Sequence, residues 1–164
     1  MGRVWAGLKN LRPGPAHCEA WLLLQRGEVN PESRDNSGRT PLSHAVGKFR
    51  SEGVVELLLQ REEVNPESRD NSGRTPLSHA ASSYQSERAF KLLLEREEVN
   101  PESRDDSGRT PLSHAAGAYW SEGAIKLLLA REEVDPESRD NSGRTPRSYA
   151  RGEALTLLSQ HSQS

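Results

Sequence analysis

Apolar residues fall along this chain in a pattern that keeps returning. Leu42, Ala45 and Val46 stand at i, i+3 and i+4, the single stripe a short helix buries. A few residues on, Val54, Val55, Leu57, Leu58 and Leu59 leave a second helix apolar on nearly every side, so it must be sandwiched. Thr40 is placed to cap the first helix, because its hydroxyl accepts an orphan backbone N–H, and Pro41 suits the first helical position. Gly47 to Arg50 reads as a turn. Ser51 is the expected cap of the second helix, and Glu52 favours the positive end of its dipole. Pro66 stops the chain from continuing helical, and Asp35-Asn36-Ser37-Gly38 is a turn tetrapeptide. The unit predicted is helix, turn, helix, extended turn.

That unit recurs with a strict period. Thr40, Thr75, Thr110 and Thr145 each open the same phrase 35 residues apart, and the first two full copies agree at 25 of 35 positions. Residues 30–64, 65–99 and 100–134 are three full copies. Residues 1–29 hold a partial, capping copy whose Leu22-Leu23-Leu24 anticipates Leu57-Leu58-Leu59, and residues 135–164 are a shortened C-terminal capping copy. One copy cannot bury both its apolar faces, so neighbours must stack into an all-α solenoid, each about 10 Å from the next. The ends need polar covers. In the last copy the Leu position becomes Arg147 and about five residues of the inter-helix turn are missing, while Trp5 and Trp21 are expected to cover the first full copy.

Composition narrows the function classes. Leu, Ile, Val and Phe make up 19% of the 164 residues, too little for one large globular core and suited to a thin, elongated one. The 22 Lys and Arg against 24 Asp and Glu give a net charge of −2, which offers no electrostatic case for nucleic-acid binding. No apolar run approaches a membrane span or a signal-peptide core. Cys18 is the only cysteine, which excludes an internal disulfide and fits a reducing, intracellular setting.

Thr40-Pro41-Leu42-Ser43-His44-Ala45, with Asp35-Asn36-Ser37-Gly38 before it and Val54-Val55-Glu56-Leu57-Leu58-Leu59 after it, resembles the ankyrin repeat. The resemblance covers about residues 15–160. The Gly-Arg-Thr-Pro-Leu-Ser wording and the Arg-Glu-Glu-Val-Asn-Pro-Glu-Ser-Arg-Asp linker further resemble arrays found in fungi, commonly attached to NACHT-type nucleotide-binding receptors and thought to sense other molecules. It implies a non-catalytic protein-binding module, a monomer in isolation, with a protein partner. A structural spacer or autoinhibitory array packing against its own parent protein is the alternative. The chain departs from the family at its period, against about 33 residues, and at Ser43, Ser78, Ser113 and Ser148, which stand where the family has His. A shorter contact must then replace the bond from that His to the Thr hydroxyl, or it is lost. The helix-ending Gly is also absent, with Arg61-Glu62-Glu63 in its place.

Candidate chemistry is sparse. His44, His79 and His114 recur one copy apart, about 10 Å, too far to share one zinc ion, so they are read as helix-face contacts between repeats. Asp35-Asn36-Ser37-Gly38 lacks the Glu that would complete a calcium loop. Ser43 and His44 point about 100° apart around a helix and do not pair as nucleophile and base. No catalytic residue, cofactor site or metal site is expected. The ladders Arg34, Arg69, Arg104, Arg139 and Arg39, Arg74, Arg109, Arg144 are each accompanied by Asp35, Asp70, Asp105 or Asp140, and are read as a solvated face of self-compensating pairs.

What differs between copies is informative. Lys48, Ser83 and Ala118 form one variable column and Arg50, Gln85 and Trp120 another, at the end of the first helix and in the turn. These six are the candidate protein-binding residues, unless the variation is neutral drift on an unread face. Phe49, Tyr84 and Tyr119 keep an aromatic ring in every full copy and are expected to pack between adjacent turns, with Trp120 either an exposed anchor or part of the C-terminal cover. The turn tips barely vary, so either binding has moved to the helix ridge or the tips contact something repetitive.

Overall fold

The computed structural model describes residues 30–48, 51–83, 87–119 and 121–161. Among them the chain forms eight helices and no strand. In chain order these are α1 (Pro41–Ala45), α2 (Glu52–Leu59), α3 (Pro76–Ala81), α4 (Glu87–Leu94), α5 (Pro111–Gly117), α6 (Glu122–Leu129), α7 (Pro146–Tyr149) and α8 (Glu153–His161). Each copy contributes an antiparallel pair. The first helices α1, α3, α5 and α7 pack side by side in one layer, and α2, α4, α6 and α8 in a second.

The local rules hold at the start of the first helices. Thr40 Oγ1 accepts the Ser43 N–H at 3.3 Å, as do Thr75 from Ser78 and Thr110 from Ser113, with Pro at the first helical position each time. Ser51 behaves otherwise than the sequence predicts. It holds the N-cap position of α2, yet its hydroxyl caps nothing there and donates backward to the carbonyls of Ala45 and, at 2.8 Å, Lys48. Ser121 repeats this with Ala115 and Ala118. At φ −98° and ψ 6° Ser51 is not in the extended conformation that aims a cap forward, and the hydroxyl serves carbonyls at and just past the end of the preceding helix instead. It ties the two helices of one copy together.

The core runs the length of the stack. Leu42, Val46, Val55 and Leu58 have no exposed surface, nor do Leu77, Phe90 and Leu93, nor Leu112, Ile125 and Leu128. Val54 and Leu57 are only half-buried, so the second helices are sandwiched on most but not all sides. At the C-terminal end Arg147, standing where earlier copies have Leu, is exposed, and Gly152 at φ 55° makes the shortened turn into α8.

Neighbouring turns interlock at a glycine. Gly73 has φ 73°, and a Cβ there would sit 2.4 Å from Asp106 Oδ1 and 2.8 Å from the Asp106 backbone nitrogen of the next copy. Gly143 has the same conformation, φ 75°, with nothing within 4 Å. Gly143→Ala should therefore cost only left-handed strain, about 1–2 kcal/mol. Gly73→Ala adds displacement of the next copy's backbone and should cost roughly twice as much or more. Urea midpoints of the two variants check this; equal midpoints would mean that the turns do not interlock.

Candidate interaction surface

The polar residues of the turn are largely occupied by one another. Gly38 N–H bonds to the Asp35 carbonyl at 2.9 Å, and Asp35 Oδ1 accepts the N–H groups of Ser37 and Arg39 at 2.8 and 3.0 Å. The other carboxylate oxygen bonds to His44 Nε2 at 2.9 Å, and the pairs His79–Asp70 and His114–Asp105 repeat this at the same distance. The histidine ladder is thus hydrogen-bonded within each copy, while its contact between repeats is electrostatic, with Arg39 of the preceding copy acting on His79 and Arg74 on His114. Each imidazole reaches back nine residues to the turn carboxylate of its own copy, because the first helix starts directly after the turn and folds its face over it. In the last copy Tyr149 takes the place, its hydroxyl donating to Asp140 Oδ2. One signal could have revealed this: His44, His79, His114 and Tyr149 all follow an Asp by nine residues, and all carry a ring donor.

Burial sets the electrostatics. His79 and His114 are lowered to about 4, first by burial and then by the guanidinium of Arg74, against the pull of Asp70 and Asp105. Burial would raise Asp70, but the N–H groups of Ser72 and Arg74 and the His79 ring hold it below the usual carboxylate range. Asp140 falls to about 2, chiefly through the Tyr149 hydroxyl.

The second arginine ladder does meet the aspartates, Arg144 Nε at 3.4 Å from Asp140 Oδ2 of its own copy and Arg39 Nε at 3.7 Å from Asp70 Oδ2 of the next, whereas the first ladder goes to backbone carbonyls. Arg34 Nη1 donates to the carbonyl of Gly38 at 3.0 Å and to that of Arg69 in the next copy. Arg104 Nη1 does the same to Gly108 at 3.0 Å and Arg139 at 2.7 Å. A long side chain beside a turn reaches backbone acceptors that no neighbouring residue in sequence supplies. Glu32 joins the same seam, taking the Asn65 N–H at 2.9 Å and the Ser68 hydroxyl at 2.8 Å. At the tips Asn71 donates its N–H to the Ser37 carbonyl at 2.9 Å and its Nδ2 to the Asn36 carbonyl at 3.0 Å. The tips do contact something repetitive, namely each other, and this is why they barely vary.

The variable positions lie elsewhere. Lys48 is exposed, and Ser83 and Ala118 are half-buried, each at or just past the end of a first helix. Arg50, Gln85 and Trp120 lie outside the described residues, as do Phe49, Tyr84, Trp5 and Trp21. Tyr119 is 73% exposed, so it does not pack between turns. The last copy lacks the turn residues that would cover it. Beside its ring a groove of about 230 Å³ opens among Ala118, Glu122, Arg151 and Ala154.

Among the described residues no three His, Cys, Asp or Glu side chains gather as metal ligands would, and no helix is long and apolar enough to cross a membrane. The sequence profile described as Ankyrin repeats (3 copies) matches residues 15–105 and again 79–163. The chain belongs to the ankyrin repeat family. Ankyrin repeats are non-catalytic modules that generally mediate protein–protein interaction. A search of curated proteins finds no match. In the ankyrin repeats of this chain the motif His is replaced by a hydroxyl pair, Thr40 Oγ1 to Ser43 Oγ at 3.2 Å and Thr75 to Ser78 at 3.3 Å. This is the shorter contact that the substitution requires.

Proposed function

We propose that this ankyrin domain, five units spanning 1–29, 30–64, 65–99, 100–134 and 135–164, recognises a protein partner through the ridge of Lys48, Arg50, Ser83, Gln85, Ala118 and Trp120. The observation that carries the reading is a division of labour. The repeated polar residues Arg34, Glu32 and Asn71 are taken up in the seams between copies, whereas Lys48 is exposed and its column, Lys48, Ser83 and Ala118, differs in charge and size. Stacked helices present such side chains on a preformed surface, so little ordering entropy is lost on binding. By the wording of its repeats the chain is read as the ligand-sensing array of a larger fungal signalling or non-self-recognition protein, intracellular, and monomeric in isolation.

The test is affinity capture from an extract of the source cells with the chain and with a Lys48→Ala, Arg50→Ala, Gln85→Ala, Trp120→Ala variant. A partner retained by the chain and lost by the variant, at unchanged helicity, is the expected result. A partner retained equally by both would move recognition off this ridge, and no partner at all would favour the spacer or autoinhibitory array.

A further inference from the structure

A second row of side chains stands at the starts of the first helices. Arg39, Arg74, Arg109 and Arg144 stand one per copy, and Arg74 feels the carboxylates of Asp70 and Asp105 as well as the charges of Arg39 and Arg109. Arg74 Nη2 reaches along α3 to the Ser78 carbonyl at 3.1 Å and the Ser82 hydroxyl at 2.7 Å. Arg109 lies over the Tyr149 ring at 4.1 Å, with Arg144 also against that ring at 4.9 Å. The aspartates hold the row from beneath. Asp70 Oδ2 pairs with Arg39 Nε at 3.7 Å and Asp140 Oδ2 with Arg144 Nε at 3.4 Å, but Asp70 is 4% exposed and Asp140 1%, whereas Arg39 is 40% exposed and Arg144 55%, so the guanidinium groups and not the carboxylates face solvent. Beside the row Gly47 and Ser82 leave the ends of α1 and α3 exposed and short of bulk, where another backbone can come close, whereas at Gly117 Arg109 Nη2 and Tyr149 Cβ already stand 3.6 Å from the place of a Cβ.

We propose that this arginine row docks an extended, acidic protein segment carrying a carboxylate at every third residue. The inference rests on the protein-recognition reading above and names the chemistry of the partner. Copies about 10 Å apart match three residues of polyproline-II chain at about 3.1 Å each, and that conformation returns every third side chain to one side. Guanidinium forks suit carboxylates in bidentate pairs. A nucleic acid fits less well, because the chain's net charge of −2 and the aspartates under the row oppose a dense polyanion.

The probe is a blocked peptide of four Glu-Pro-Pro triplets, titrated into the full chain by calorimetry beside a peptide of equal composition with its four Glu contiguous. The spaced peptide should bind one to one and about tenfold more tightly than the contiguous one, weakening as salt is raised. Arg39→Gln with Arg144→Gln should weaken it about tenfold or more, while Arg88→Gln, which removes a 69% exposed charge on α4, should change it less than about twofold. Circular dichroism melting checks that each variant is folded; should the double Gln variant melt early, Arg39→Lys with Arg144→Lys keeps the charge, loses the fork and should still weaken binding. Equal affinity for both peptides, equal loss in Arg88→Gln, or binding of a single-stranded oligonucleotide with none of the peptide would overturn the proposal. If a captured partner needs the Lys48 ridge but no acidic peptide binds, the arginine-row inference fails and the recognition reading stands.

Discussion

Replacing Leu58 or Leu93 by Ala should lower the unfolding free energy by about 2–5 kcal/mol, enough to unfold much of the array. Both side chains have no exposed surface, Leu58 in α2, which packs against α1 and α4, and Leu93 in α4, which packs against α2, α3 and α6. Truncation removes the transfer free energy of three carbons and leaves a cavity that two helix layers cannot close. Because stability in a solenoid is a sum over units and nearest-neighbour interfaces, loss of a central copy also removes both interfaces it makes. Lys48→Ala, at an exposed position, should cost under about 0.5 kcal/mol. Denaturant midpoints read by circular dichroism decide the matter. If the Leu and Lys variants shift equally, the faces of α2 and α4 have been assigned wrongly.

Mild acid should destabilise the domain through its two buried histidines. His79 and His114 are neutral in the folded chain down to about pH 4, whereas in the unfolded chain they take up a proton near 6.5. Between those values the unfolded state binds more protons, so stability falls as pH falls. Above about 6.5 both states are neutral and the full stability is present; below about 4 the loss is complete. Each histidine should remove about 2 kcal/mol by pH 5 and on the order of 3 kcal/mol by pH 4. The cause is burial reinforced by the Arg74 guanidinium. Urea titrations at pH 7 and pH 5, with the chain and with His79→Gln, His114→Gln, measure the slope. A double variant that loses stability as steeply as the chain would place the acid-sensitive groups elsewhere.

The sequence by itself determined the repeating unit, its two helices and the residues that bury themselves. Leu42 and Leu58 could be assigned to the core because burial of apolar surface is non-directional, and its period of three to four residues is written in adjacent positions. Thr40 and Pro41 could be assigned to a helix start because both ends of that hydrogen bond lie within one turn. The family followed from the same local phrases. Polar partners were another matter. The role of Arg34 depends on a carbonyl 35 residues away, that of Glu32 on an N–H 33 residues away, and the cost of a side chain at Gly73 on the backbone of Asp106. A hydrogen bond requires a distance and a direction, and these exist only once copies are stacked at their spacing. Reading Arg34 and Arg104 as pairs with adjacent aspartates, or Ser51 as the cap of the helix it precedes, applied sequence neighbourhood where spatial neighbourhood decides. Only the tertiary structure shows that His79 sits over its own Asp70, that Gly143 is free where Gly73 is locked, and that Tyr119 faces solvent. The last two depend on whether a following copy, or its turn, is there to supply the missing surface, and the first on how a helix folds back over its own turn.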